Sequence, residues 1–344
     1  MLKLRRGTVV GTDPLEIDVS GEVRRAWADP GTVGPVELGD ELIVNTAAID
    51  LSLGSGGFDV VHVNLTRGLA GGETPPGVHV MKLNYTSLQH VVEPIEEPAD
   101  APARPEARIP VLVLPLHGHL APAAWAAAQS GQRRVGFVQA GGGGLPGSLS
   151  GDVRELRARG LLAGHVTVSP SYGGELEAIS LTGALHAAAG RLGWEAAIVG
   201  PGPGILGSET RYGHGGMAAL DAAHASLALG LPTLLSPRLS AGDARSRHLG
   251  LSHHTRSVLE LLLAGVEVPV PAQLEELWPE GAEAGRAALG EACGELHRLE
   301  EEPVDLEAYA GSGLPNRTMG RDLSEDRLFF AAPLAAGTAL ARAG

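Results

Sequence analysis

The chain is poor in several residues that mark whole classes of protein. One cysteine, Cys293, occurs in 344 residues, which excludes an internal disulfide framework and any cysteine-based zinc site. No uninterrupted apolar run approaches the roughly 18 residues that a membrane-spanning helix needs. Residues 1–7 are basic, but residues 8–13 hold no apolar core, so no secretory signal is expected. Basic side chains are outnumbered, 26 Lys and Arg against 40 Asp and Glu, for a net charge of −14. That balance argues against non-specific binding to nucleic acid or to an anionic membrane. Hydrophobic residues are plentiful, at 44%, and glycine reaches 49 residues. The aliphatic content excludes a disordered polyelectrolyte, and the glycine falls far short of the roughly one-third of a collagen. The expectation is a soluble, cytoplasmic globular protein with two domains, at roughly 100–200 residues each.

Short strand-like stretches at residues 8–10, 16–19, 23–27, 41–45, 59–65 and 79–84 are broken by Gly, Pro and Asp. They predict a small N-terminal β-barrel or sandwich over residues 1–92. Its turns include Asp29-Pro30-Gly31 and Gly54-Ser55-Gly56-Gly57. Residues 93–108 carry four prolines and five carboxylates, and read as an extended linker. From residue 109 onward strands alternate with helices. The strands are expected at 110–114, 134–138, 165–168, 196–199, 233–235 and 266–270, and the helices at 121–129, 152–159, 175–192, 216–229 and 253–264. These strands are apolar rather than alternating, which predicts a Rossmann-like, mostly parallel sheet with helices on both faces over residues 109–344. Two more helical stretches, 272–299 and 323–341, should be broken by Pro279 and Pro333. Asp322 with Glu325 reads as a capping box opening the last one.

In an open parallel sheet, ligands bind beyond the carboxyl ends of the strands, and the unusual residues fall there. His117 and His119 follow the first strand, Gly142 and Gly143 the second, and Glu175 the third. After the fourth, Gly202-Pro203-Gly204-Ile205-Leu206-Gly207 satisfies G-x-G-x-x-G. Helix-like sequence resumes only near Gly216, however, and Arg238 stands where an acidic residue should end the next strand, so NAD(P) is disfavoured. Ser208 and Glu209 replace the Lys and Ser/Thr of a P-loop. What remains is an anion cradle from Gly142, Gly143, Gly202, Gly204, Gly207, Ser208 and Thr210; the other reading is glycine serving turn geometry alone. Arg238, Arg245, Arg247 and Arg256 face one acid, Asp243, across residues 238–256, an electropositive island suited to phosphate or carboxylate. Ser252 sits where an N-cap belongs. It would place His253 and His254 in the first turn of a helix, where the dipole favours neutral imidazole. His117 and His119 on an extended segment would share a face and could chelate a divalent metal, with His248, His253 or Glu175 as third ligand. The candidate catalytic groups are therefore His253, His254, Glu175, His117 and His119, with Arg238, Arg247, His248, Ser252 and the glycine loops holding the ligand. Cys293, between Glu291 and Glu295, reads as an inert thiol.

One combination of motifs is family-specific: Gly39-Asp40-Glu41, Asn45-Thr46-Ala47-Ala48 with Asp50, Val80-Met81-Lys82-Leu83, Gly202-Pro203-Gly204-Ile205 with Gly207, Ser252-His253-His254-Thr255 and Thr318-Met319-Gly320-Arg321. It resembles the uncharacterised bacterial domain-of-unknown-function family 3866 over nearly the whole chain. The resemblance implies two domains in one unit and no particular reaction. Where members read Gly-Thr-Gly-Thr, this chain has Gly207-Ser208-Glu209-Thr210, which puts a carboxylate in the glycine loop. The sequence reading is an enzyme, hydrolase or group transferase, acting on a small anionic, phosphorylated or carboxylated metabolite. The alternative is a non-catalytic ligand-binding or regulatory module. A small anionic molecule and a second copy of the chain are the expected partners.

Overall fold

Alternation builds the first part of the molecule. Along β1 (Leu4–Thr12), β2 (Leu15–Val19), β3 (Glu22–Trp27), β4 (Glu41–Asn45) and β5 (Asp59–Asn64), residues two apart share a face. Val9, Ile17, Val19, Leu42, Val44 and Val61 accordingly meet in one buried cluster with Val33. The computed structural model describes residues 2–51, 56–72, 74, 76–132 and 134–343. Gly54 and Ser55 of one expected turn lie outside these. The five strands close into a barrel in the order β1-β2-β3-β5-β4, with β3 and β5 the parallel pair. Among the described residues, closure gives each of the five strands a neighbour on both sides. Buried acids are matched: Asp59 receives Arg24 Nε at 2.6 Å, and Asp40 receives Arg67 Nε at 2.9 Å and Asn64 Nδ2 at 2.9 Å.

The chain divides into two units, Met1–Val91 and Val92–Gly344. The proline-rich stretch opens the second, and it is anchored rather than free. The Ile95 N–H donates to the Glu177 carbonyl at 2.9 Å and its side chain is buried. The Glu96 carboxylate accepts the N–H groups of Ile179 and Ser180.

Eight strands form one parallel sheet in this unit: β6 (Val111–Val113), β7 (Val135–Ala140), β8 (Gly164–Val168), β9 (Leu176–Ala178), β10 (Ala196–Pro201), β11 (Thr233–Leu235), β12 (Glu267–Pro271) and β13 (Arg298–Glu302). Their order is β9-β8-β7-β10-β6-β11-β12-β13. Every residue of β7, β8 and β10 is buried, because helices cover both faces. On one side lie α3 (Leu181–Ala189), α4 (Ala218–Ala228), α5 (His253–Leu261) and α6 (Ala282–Cys293). Opposite them lie α1 (Leu120–Gln129), α2 (Gly151–Ala158) and α7 (Arg327–Arg342).

Four expectations are corrected. The stretch 175–192 is not one helix, since β9 precedes α3. The stretch 272–299 gives the short helix Leu274–Leu277 and then α6, and leads into β13. Pro333 does not break the last helix but lies inside α7, where burial of Phe329, Phe330 and Leu334 outweighs the lost hydrogen bond. Asp322 and Glu325 do exchange the two capping-box bonds, at 2.8 and 3.1 Å, but as a turn ahead of the helix; Asp326 is the N-cap.

The neighbours β6 and β10 are left in opposite directions, one through α1 to β7 and the other through α4 to β11 on the opposite face. The gap between their carboxyl ends is therefore the topological switch point. Among the described residues, no helix is long and apolar enough to cross a membrane.

Candidate functional site

Four imidazoles gather beyond the carboxyl ends of the sheet. His214 ends the long loop after β10, His248 lies in the 3-10 turn Ser246–His248, and His253 and His254 open α5. His214 and His254 stack with centroids 3.6 Å apart, and four further ring pairs lie between 4.4 and 5.3 Å. Ser252 makes the turn into α5: its Oγ accepts the His254 N–H at 3.3 Å and shares a 2.7 Å hydrogen bond with His248 Nδ1.

Rings this close and this buried are neutral. Burial, followed by His214 and Arg238, lowers His254 to about 2, and burial with Arg238 and Arg245 lowers His248 to about 3. Burial also leads the lowering of His214 and His253. Two tautomers are fixed by main-chain carbonyls, which only accept. His214 Nε2 donates to Arg211 O at 3.0 Å, and His253 Nδ1 donates to Arg247 O at 3.3 Å. The lone pairs therefore lie on His214 Nδ1 and His253 Nε2. These atoms and His254 Nδ1 are buried with no hydrogen-bond partner.

Arg238 follows β11 and is 2% exposed. Its main-chain N–H donates to Thr255 Oγ1 at 2.8 Å, tying it to the first turn of α5. Its guanidinium shares the Asp243 carboxylate with Arg245 and Arg321. The Nε groups of Arg238 and Arg247 are buried without acceptors, and Arg247 Nη1 stands 4.0 Å from Glu209.

A family model described as "Protein of unknown function (DUF3866)" matches residues 25–337, running through both units. The chain belongs to this family. No curated protein and no solved structure matches it.

In this DUF3866 chain the glycine loops are occupied with each other. A β-carbon on Gly142 would stand 2.4 Å from Gly215 O, and one on Gly143 would stand 2.2 Å from Gly202 O. Backbone therefore lies directly on backbone. Gly144 N–H donates to Pro203 O, Leu206 N–H to Gly142 O and Gly215 N–H to Leu206 O. Ser208 Oγ bonds Gly213 O and Thr210 Oγ1, each at 2.8 Å, and Thr210 Oγ1 accepts the Gly213 N–H. The expected anion cradle of Gly142, Gly143, Gly202, Gly204, Gly207, Ser208 and Thr210 is thus a self-bonded loop; Gly204, at φ 71°, meets the conformational demand.

His117 and His119 do not converge on one ion. They sit in the 3-10 turn His117–His119, not on an extended segment, so their rings diverge. His117 Nδ1 donates to Pro201 O at 3.0 Å and Nε2 meets Ser150 Oγ at 2.7 Å. That ring spans the switch point between β6 and β10 and reaches the cap of α2. His119 Nδ1 meets Ser236 Oγ at 3.0 Å, its ring lies edge-on to Phe329, and its Nε2 is buried without a partner. Glu175 is exposed and pairs with Arg157 at 2.6 Å.

From the expected set, the structure brings together Arg238, Arg247, His248, Ser252, His253 and His254. His214 joins them unannounced. Its sequence signal was Tyr212-Gly213-His214-Gly215-Gly216, a histidine at a strand's carboxyl end, inside a loop weighed only for its glycines.

Proposed function

We propose that the chain is a hydrolase or group transferase for a small anionic molecule of the phosphate or carboxylate class, held at the carboxyl edge of the parallel sheet. The observation that carries this reading is the meeting of acceptor-less buried guanidinium N–H groups, on Arg238 and Arg247, with neutral imidazoles that have free lone pairs. A buried donor without an acceptor costs on the order of 1–3 kcal/mol, and an anionic oxygen removes that cost. His253 Nε2, its opposite N–H held by a carbonyl, keeps its lone pair in a fixed tautomer, able to accept a hydrogen bond or to hold an ion. His248 and Ser252 position it by packing and by shaping the turn. A binding module without turnover is the second reading, and one observation favours it: Asp243 and the expected acid Glu175 are both engaged. Asp243 is held by three arginines, and Glu175 by Arg157.

Titration calorimetry with inorganic phosphate, pyrophosphate and small dicarboxylates tests the anion site, followed by turnover of a phosphorylated-metabolite panel. Wild type is expected to bind saturably. Arg247→Gln should bind at least about tenfold more weakly, the loss of one charge-assisted hydrogen bond. Binding without turnover selects the second reading. Equal binding by wild type, Arg247→Gln and Arg238→Lys would overturn both.

A further inference from the structure

We infer that His214, His253 and His254 are the ligands of a single divalent transition-metal ion of the zinc type. The inference deepens the reading above, since it rests on the imidazole cluster being the functional site.

Proximity comes first. One ring nitrogen from each of the three residues lies within 4.8 Å of the other two. His214 and His254 are 6% and 5% exposed, so these are not surface histidines meeting by chance. Bonds of about 2.0–2.1 Å to a tetrahedral ion would draw the nitrogens inward by roughly an ångström and would turn His214 and His254 out of their 10° stack, because each lone pair lies in its ring plane.

The lone pairs come second. Metal-ligating histidines almost always give their other N–H to a carbonyl, carboxylate or water, which fixes tautomer and ring orientation. His214 and His253 already do this through Arg211 O and Arg247 O. The nitrogens left over, with His254 Nδ1, are buried and unpartnered. Within one cluster of rings, three buried nitrogens are left that no group among the described residues satisfies.

Gly216 is the third observation. A β-carbon there would stand 3.0 Å from His214 Nδ1 and 3.2 Å from His254 Nδ1. Its φ is not among the positive ones, so the backbone does not require glycine at this position. What the missing side chain preserves is the space between two imidazole nitrogens.

The donor set narrows the ion. Imidazole suits zinc, copper, iron and nickel, whereas magnesium and calcium take oxygen ligands. Three histidines leave a fourth coordination position open, as catalytic zinc sites do. The charges of Arg238 and Arg247 oppose a bare cation but favour an anion or hydroxide in that position, so metal and anion would bind with positive coupling. His248, bonded to Ser252, packs on His253 and His254 and acts as a positioning residue.

Equilibrium dialysis of the full chain against Zn2+, with elemental analysis, and visible absorption of the Co2+ form provide the test, run first without added anion. One ion per chain is expected, removable by a chelator, with the intense Co2+ bands of a low-coordinate nitrogen site. Gly216→Ala should weaken Zn2+ binding at least about tenfold while retaining the far-UV circular dichroism of wild type. His254→Ala should abolish stoichiometric binding, and His186→Ala, remote from the cluster, should leave it unchanged. Substoichiometric Zn2+ on folded wild type, or equal affinity in Gly216→Ala and His254→Ala, would overturn the proposal. Zn2+ binding with no response to phosphate or dicarboxylate would sink the anion reading alone. Anion binding by a chain that takes up no Zn2+ would sink the metal site alone.

Discussion

His117 and His119 stand two residues apart and serve unrelated neighbours, because a 3-10 turn rotates successive side chains by about 120°. His117 uses both nitrogens to hold the end of β10 and the cap of α2, which makes it a structural residue at the point where a ligand was expected. His117→Ala would strand the Pro201 carbonyl and the Ser150 hydroxyl and leave a cavity. A loss of about 2–4 kcal/mol in urea unfolding is expected, with Zn2+ and anion affinity unchanged, since the cluster centres on other rings. A parallel loss of affinity would show that His117 belongs to the site after all. The same logic applies to the glycine loops. Glycine lets a backbone approach a phosphate, but it equally lets one backbone approach another, and Gly143 against Gly202 is the second case. Sequence holds no signal that separates the two.

At the scale of elements, legibility followed burial. β7, β8 and β10 are buried throughout and mostly apolar, and were readable as strands, and so was α2 between the first two. β9 and β13 were not: Leu176–Ala178 is three residues long, and Arg298–Glu302 reads Arg-Leu-Glu-Glu-Glu on a sheet edge, where charged side chains face water. Pro333 leaves α7 unbroken because tertiary contact, which no local pattern carries, holds α7 against α1. That contact depends on Gly337, where a β-carbon would fall 2.2 Å from Ala123 O and 2.9 Å from Ala126 Cβ. Gly337→Ala is therefore expected to destabilise by about 1–3 kcal/mol through overpacking, despite a helix-propensity gain of about 1 kcal/mol. Gly290→Ala, exposed in α6 with nothing within 4 Å of the new carbon, should realise that gain. Opposite signs in the two urea midpoints are the outcome sought; two stabilised variants would mean that α7 can shift without cost.

Over the whole molecule, the buried imidazoles make the two units respond differently to acid. His119 and His165 both lie in the second unit, and burial is the largest cause that lowers them, to about 3 and about 4. Unfolded, each would take a proton near pH 6.5. The unfolded state therefore binds more protons between the folded and unfolded values, and stability falls as the pH drops through 6.5. From pH 7 to pH 5 each imidazole removes about 2 kcal/mol by this linkage. The first unit has a different dependence. Asp50 is held well below the usual carboxylate range by Lys3, then Arg24 and Thr46, so its contribution persists until the pH falls beneath that range. Urea unfolding at pH 7, 6 and 5 should therefore show the α/β transition moving to lower urea while the barrel's stays nearly fixed. His165→Gln, which keeps a donor toward Gln139 in place of the 3.1 Å bond, should flatten the slope by about 2 kcal/mol over that interval. An unchanged slope in that variant, or an α/β transition that does not move with pH, would mean that these rings are not held neutral by the fold.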